Sequence, residues 1–262
     1  MLGQDHLIKY LNSCTIDSFP KASLLLGPFG CGKHTYLDMI SNKLNLNKLD
    51  VTDVIDFEYI LNMYNVSIPN IYFIDIDKFT EKKQNIILKL LEEPPSKAYI
   101  VLLATDKSLL LPTIINRCNI FEFKPYTKEV LCTFIKDNIN TDLICNVLDT
   151  PGKVLTANSE NITDLYNLCV KICMKLPEAS FNNALTISDK MNYSDQYNKF
   201  DIEAFFMMMK KVLLEKYIET SSLKLLDYYS MTIEYTKRLH QDKRLDKQKL
   251  IENYIGKMWV LG

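Results

Sequence analysis

The chain has 262 residues, 47% of them hydrophobic and 24% charged, which fits a globular protein of one to three domains with room for a real core. Its formal net charge of −1 excludes a globally basic nucleic-acid binder, so any contact with DNA has to come from a local surface or through partners. Seven cysteines with no C-x-x-C pair argue against a disulfide framework and a zinc module. No metal site is therefore expected, and reduced thiols in the cytoplasm are the simple reading. The opening MLGQDHLIKY has no long apolar segment, so no secretory signal is expected. No apolar stretch reaches the length of about 18 residues that a membrane span needs, so no membrane partner is expected.

The apolar run Ala22–Leu26, ending at glycine, predicts a buried strand. A glycine-rich turn follows, and Tyr36, Leu37, Ile40 and Leu44 give Lys33–Leu44 helical spacing. Ile71–Ile74 predicts a second strand, ending in Asp75. Thr80 is placed to cap a helix over Glu81–Leu91, which Pro94–Pro95 ends. Ala98–Ala104 (AYIVLLA) and Ile120–Phe123 predict two more strands. Runs this apolar are read as buried on both faces, and their alternation with helices predicts a parallel α/β sheet. From Lys128 onward helical periodicity prevails, with Pro151–Gly152 read as a turn between helices. A polar linker from about Met174 to Tyr197 precedes helices over Ile202–Tyr217, Leu223–Leu239 and Asp246–Trp259. The expected organisation is an α/β domain over residues 1–125, a small helical domain over 126–175 and a helical C-terminal domain over 176–262.

GPFGCGKHT, Gly27 to Thr35, satisfies G-x-x-x-x-G-K through Gly27, Gly32 and Lys33, with Gly30 between them. In such a loop, glycines let backbone N–H groups converge on phosphate oxygens. The lysine adds a point charge and the helix N-terminus its dipole. The residue after the lysine should be Ser or Thr, whose hydroxyl ligates Mg²⁺. It is His34, which either offers an imidazole near the metal or fills space where the ligand belonged. Thr35 is one residue further, rotated by roughly 100° around the helix, and does not simply substitute. The second motif is IYFIDIDKF, Ile71 to Phe79. Asp75 ends the strand where a metal-coordinating acid belongs. Ile76 follows it and has no proton-accepting group. Asp77 has the strand parity of Asp75, and is either recruited to that face or a solvated loop carboxylate.

The stretch from Gly27 to Pro125 resembles the clamp-loader subunits of replicative DNA polymerases, within the AAA+ ATPase superfamily. The family element T-x-x-x-Q-N-x-L-L-K-x-L-E-E-P-P is met by Thr80, Gln84, Asn85, Lys89, Leu91, Glu92, Glu93, Pro94 and Pro95, with Ile86 and Ile87 near its apolar positions. The A-T segment after the central strand is Ala104–Thr105, and L-L-P-T-I-x-S-R-C is Leu110 to Cys118 with Asn116 in place of serine. Gly3–Gln4 is similar to the family's G-Q lead-in. The resemblance implies a RecA-like AAA+ sheet domain, a small helical lid and an all-helical C-terminal collar. It also implies that Arg117 reaches the nucleotide of a neighbouring subunit as an arginine finger, a role that suits a planar, permanently charged guanidinium; the alternative is a surface or structural arginine pairing with a local carboxylate. Thr105 becomes the candidate first sensor, or else a satisfied core hydroxyl, and Cys118 a small buried packing residue.

Departures from the family pattern define the expected subunit type. Gly152, beside Lys153 in TPGKV, stands where active members carry a lid arginine. Asp75 lies only 42 positions after Lys33, too few for the zinc-binding insert of bacterial members. With His34 and Ile76, these resemble the delta-prime subunit, which does not hydrolyse ATP but completes its neighbour's site. The partners implied are other clamp-loader subunits in a hetero-oligomeric ring, the sliding clamp and primer–template DNA. ATP or ADP with Mg²⁺ at a degenerate site is the one cofactor in view. The alternatives are an ATP-hydrolysing gamma/tau-like motor, with His34 and Asp77 standing in, and a stand-alone AAA+ DNA-processing protein or phage accessory factor. The basic stretch Lys237 to Lys249 could touch phosphate or form a solvated face. The run Phe205 to Met209 looks like helix packing in a collar, and it is apolar beyond one stripe, which would fit burial against neighbouring subunits.

Overall fold

In the computed structural model, which describes residues 2–52, 69–135, 141–156, 159–176, 202–241 and 246–261, the apolar runs lie side by side in one sheet. Its strands are β1 (Ala22–Leu26), β2 (Asn47–Asp50), β3 (Asn70–Asp75), β4 (Ala98–Ala104) and β5 (Asn119–Glu122). All pairings are parallel, in the order β2-β3-β4-β1-β5. Leu24 sits opposite Leu102 on one side and Ile120 on the other. Strand parity then sorts the side chains into two cores. Leu24, Leu26, Tyr72, Ile74, Ile100 and Leu102 pack with Ile87, Leu90 and Leu91 of helix α3 (Glu81–Glu92). Leu25, Ile71, Tyr99, Val101 and Leu103 pack with helices α1 (Asp5–Ser13) and α2 (Lys33–Leu44). With helices on both faces, β1 and β4 are buried at every residue, which is why they read as unbroken apolar runs.

The two edge strands depart from the sequence reading. β2 (NKLD) is exposed at every position and has no apolar pattern to announce it. The strand expected over Ile120–Phe123 is β5, one residue earlier, and it is not buried on both faces. It pairs with β1 alone, and within it only Phe121 is buried. Helix α3 begins as expected, with Thr80 Oγ1 accepting from Lys83 N at 3.5 Å. Beyond it come α4 (Pro112–Ile115), α5 (Lys128–Cys132), α6 (Thr141–Val147), α7 (Pro151–Thr156) and α8 (Ser159–Lys175). Pro151–Gly152 therefore opens a helix rather than making a turn, in keeping with proline's fit to a first helical position. The last described helices are α9 (Ile202–Thr220), α10 (Leu223–Gln241) and α11 (Lys247–Leu261).

The chain divides into two compact units, Met1–Phe134 with Thr150–Leu155, and Ile135–Asp149 with Thr156–Gly262. The second has its own aromatic core. Phe206 meets Tyr254 edge-on at 5.1 Å, Tyr254 meets Tyr235 at 5.3 Å, and the Tyr254 hydroxyl shares a 2.8 Å hydrogen bond with Thr232. The run from Phe205 to Met209, read as helix packing in a collar, lies on α9 within this core. Phe205, Phe206, Met208 and Met209 are each 1% exposed or less. Their excess apolarity follows from α9 packing against both α8 and α10. Of the polar stretch from Met174 to Tyr197, all beyond Leu176 lies outside the described residues. Among the described residues no helix is long and apolar enough to cross a membrane.

Candidate nucleotide site and arginine surface

The glycine loop joins β1 to α2, so it lies at the C-terminal end of the sheet, where open α/β sheets bind ligands. The ends of β3 and β4 bring Asp75 and Thr105 to the same edge, since Leu26 is level with Ala104 and Asp75 with Leu103. Gly27 hydrogen-bonds Ala104 O through its N–H at 3.1 Å. The carbonyls of the loop accept from the chain's own donors. Lys33 Nζ turns back onto the carbonyls of Gly27 and Pro28, the latter at 3.1 Å. Thr150 Oγ1 donates to Phe29 O at 2.9 Å, Gly152 N to Gly30 O at 2.8 Å and Tyr126 OH to Cys31 O at 2.6 Å. Burial lowers the Lys33 pKa from the ordinary lysine value, with Cys31, Asp77 and Asp75 acting in the opposite direction.

Gly30 and Gly152 make this closure possible. Gly30 has φ +78°, and a Cβ on it would lie 3.1 Å from Gly152 Cα. A Cβ on Gly152 would lie 2.6 Å from Gly30 Cα, closer than non-bonded carbons come. The start of α7 therefore lies against the loop with backbone on backbone. His34 and Thr35 are exposed on the first turn of α2, and the His34 ring stands edge-on to Phe73 with centroids 5.9 Å apart.

The acidic side differs from the parity reading. β3 ends at Asp75 and a single 3₁₀ turn, Ile76–Lys78, follows, so the two-residue period stops before Asp77. Asp75 pairs with Lys78 at 2.9 Å. Asp77 is not the solvated loop carboxylate of one sequence reading. Its Oδ2 accepts from Thr105 N at 2.8 Å, and its Oδ1 is buried with no hydrogen-bond donor among the described residues. Ile76 is fully buried in the core. Thr105 is exposed, just past the end of β4 rather than inside it, so it is not a core hydroxyl.

Arg117 lies at the other end of the sheet. It comes two residues before β5, whose first residue, Asn119, is level with Ser23 near the start of β1. From Ser23 to Gly27 is a climb of roughly 13 Å at about 3.3 Å per residue. The Arg117 side chain is 35% exposed. Nε donates to Glu92 Oε1 at 2.8 Å, Nη2 forms an ion pair with the same oxygen at 2.5 Å, and Nη1 donates to Thr113 O at 2.9 Å, the local carboxylate pairing of the alternative reading. Cys118 behind it packs partly into the core, and burial pushes its thiol up to about 12.

Sequence reasoning missed the roles of residues whose partners are distant in the chain. Gln4 is fully buried and pairs with both backbone groups of Lys124, at 2.7 and 3.0 Å. Gln84 is 3% exposed; its amide donates to Phe79 O and Leu109 O and accepts from Leu111 N. The motif spelling marks both glutamines, but no local periodicity does. Thr150 and Tyr126, which hold the loop's carbonyls, have no sequence signal at all. Within the described part of the Lys237–Lys249 stretch, Arg238 pairs with Glu234 one helical turn back; residues 242–245 lie outside the described residues.

The strand order, the loop between β1 and α2 and the acid at the end of β3 define a P-loop α/β domain of the AAA+ type. A solved structure of a Thermotoga maritima protein described as DNA polymerase III, gamma subunit-related, shares the fold with a TM-score of 0.52 at 14% identity, covering 98% of each chain. The family described as DNA polymerase III, delta subunit, matches residues 61–127. DNA polymerase III subunit gamma/tau of Mycoplasma genitalium is 24% identical over 90% of this chain and 44% of its own length. DNA polymerase III subunit delta′ of Buchnera aphidicola is 36% identical over 28% of this chain and 22% of its own length. The likeness throughout is to clamp-loader subunits of the DNA polymerase III type. The chain spans half or less of the length of the curated relatives it matches first.

Proposed function

We propose that this chain is the delta-prime-like subunit of a DNA polymerase sliding-clamp loader, which does not hydrolyse ATP itself and donates Arg117 to the nucleotide site of a neighbouring subunit. The observation that carries this reading is the placement of Arg117 at the opposite end of the sheet from the chain's own phosphate loop. The path of roughly 13 Å along β1 is longer than an arginine side chain, which supports a phosphate on another chain as its target. The state of the loop supports the same reading. Lys33 is engaged with Gly27 and Pro28, and Gly152 lies against Gly30. Ile76, buried after Asp75, has no proton-accepting group to activate a water, and no hydroxyl follows Lys33 to hold Mg²⁺. The residues present thus fit Mg-ATP hydrolysis poorly, and we assign no chemical step to this loop. The proposed setting is a cytoplasmic hetero-oligomeric ring that engages the sliding clamp and primer–template DNA. The motor reading, gamma/tau-like, draws on the retained glycines and Lys33 of the loop and on Asp77 Oδ1, buried without a donor among the described residues.

The test has two arms. Titrating the purified chain with Mg-ATP is expected to give no turnover, and micromolar binding accompanied by turnover would overturn the non-catalytic reading. In an assembly reconstituted with the ATP-hydrolysing subunits of the same host, Arg117→Ala is expected to lower ATPase at the interface it serves by about 10³-fold, the lower end of what such fingers supply. Unchanged ATPase in that assembly would sink the role in trans.

A further inference from the structure

The way Arg117 is held carries an inference that rests on the finger reading and goes beyond it. A guanidinium presents five N–H groups in a rigid planar fork. Glu92 Oε1 accepts from Nε at 2.8 Å and lies 2.5 Å from Nη2 as its ion-pair partner. Thr113 O accepts from Nη1 at 2.9 Å. Among the described residues, N–H groups on the terminal nitrogens remain without an acceptor. Such groups suit the oxygens of a phosphate. Two acceptors in different directions fix the plane of the fork, and so fix where its end edge points.

The anchors of this arrangement are themselves fixed. Glu92 is the last residue of α3, just before the Pro94–Pro95 break. The short helix α4 is closed by Arg117 N donating to Ile114 O at 3.0 Å. The Glu92 and Arg117 side chains are 50% and 35% exposed, so their pairing contributes little to stability. Holding a long side chain still costs rotamer entropy. Ordering it in the free chain removes that cost from the moment of engagement, which is what preorganisation supplies to catalysis.

We propose that Glu92 is a positioning residue for Arg117: it orients the guanidinium so that its end edge faces outward, toward a phosphoryl group bound on a neighbouring subunit. Geometry, not charge, is the contribution, because a carboxylate near that group also opposes the phosphate's own charge. A neutral acceptor of the same length should therefore serve nearly as well.

The experiment uses the reconstituted assembly with the ATP-hydrolysing clamp-loader subunits of the same host. Glu92→Ala is expected to lower kcat about 10-fold with KM nearly unchanged, as for an interaction made in the transition state. Glu92→Gln is expected to stay within about 3-fold of the parent, and Glu92→Ala added to Arg117→Ala to cause no further loss. Thermal melts and co-purification of the variants are expected to match the parent. Parental kcat in Glu92→Ala, while Arg117→Ala is impaired, overturns the positioning role and leaves the finger reading standing. A further loss in the double variant, or a kcat loss that tracks loss of assembly, overturns it in favour of a merely structural role. If Arg117→Ala itself has no effect, the finger reading fails first and the positioning role with it.

Discussion

At the C-terminal ends of β1, β3 and β4 the chain closes on itself, whereas at the N-terminal end of β5 it turns an edge of Arg117 outward. The two regions use the same kinds of group in opposite ways. In the loop, a lysine that could meet phosphate is bonded to loop carbonyls, and a backbone N–H from α7 meets another. At Arg117, a cation is held by an acid and a carbonyl so that, among the described residues, some of its donors stay unused. The comparison teaches that a P-loop spelling and a P-loop site are separate properties. Gly27, Gly30 and Gly32 keep the loop's path whether or not its donors face a ligand. What an arginine can reach is set instead by the end of the sheet on which it stands.

The comparison is tested hardest at Gln84. Its amide ties the start and end of the segment Phe79–Leu111 around α3, so it braces the scaffold carrying both Glu92 and Arg117. Gln84→Leu keeps the volume but leaves Leu111 N and two carbonyls short of partners. Buried unsatisfied groups cost about 1–3 kcal/mol each, and partial relaxation should leave a net loss of about 2–4 kcal/mol. Chemical denaturation monitored on the sheet unit reads this. A loss under about 1 kcal/mol would mean that water replaces the amide and that the brace is unimportant.

At the loop, Gly152→Ala is the smaller and more local break. The new Cβ would stand 2.6 Å from Gly30 Cα, so the start of α7 must move off the loop. Overpacking of this kind costs about 1–3 kcal/mol. Faster amide hydrogen exchange is expected at Gly30 and through Thr150–Leu155, with Arg117 and its partners unaffected. Unchanged exchange there would show that the backbone approach does not hold the loop.

Much of this fold could be read in the sequence where burial is uniform. β1, α2 and β4 match their predicted bounds because both sheet faces are covered and a glycine marks the turn. β2 escaped detection because an exposed edge strand needs no apolar residue. The parity argument for Asp77 failed because it assumed that the strand continued, and a 3₁₀ turn resets the period at Ile76. The loop's glycines and Lys33 stood out by spelling. Their partners did not, since Thr150 meets Phe29 across a separation of 121 residues and Gln4 meets Lys124 across 120. Such pairings leave no local pattern. The Arg117–Glu92 pair lies between these cases: motif matching singled out both residues, and only the fold placed one against the other.

The smallest expected effect concerns how the arginine region is anchored. Thr80 caps α3 at its start, but Oγ1 stands 3.5 Å from Lys83 N, a long and weak contact. A well-made cap contributes about 0.5–2 kcal/mol, so Thr80→Ala is expected to lose about 0.5 kcal/mol, a small shift in denaturation midpoint. If α3 is positioned through Gln84 rather than through its cap, the variant should keep the parental exchange rate at Leu111 N, whose acceptor is Gln84 Oε1. A cap loss that speeds exchange at Leu111 would mean that helix fraying travels the length of the segment. Glu92 would then be set by the helix as a whole and not by the interior brace. Parental exchange at Leu111 with a small midpoint shift would confine the cap to its own turn, leaving Gln84 as the group that holds the scaffold beneath Arg117.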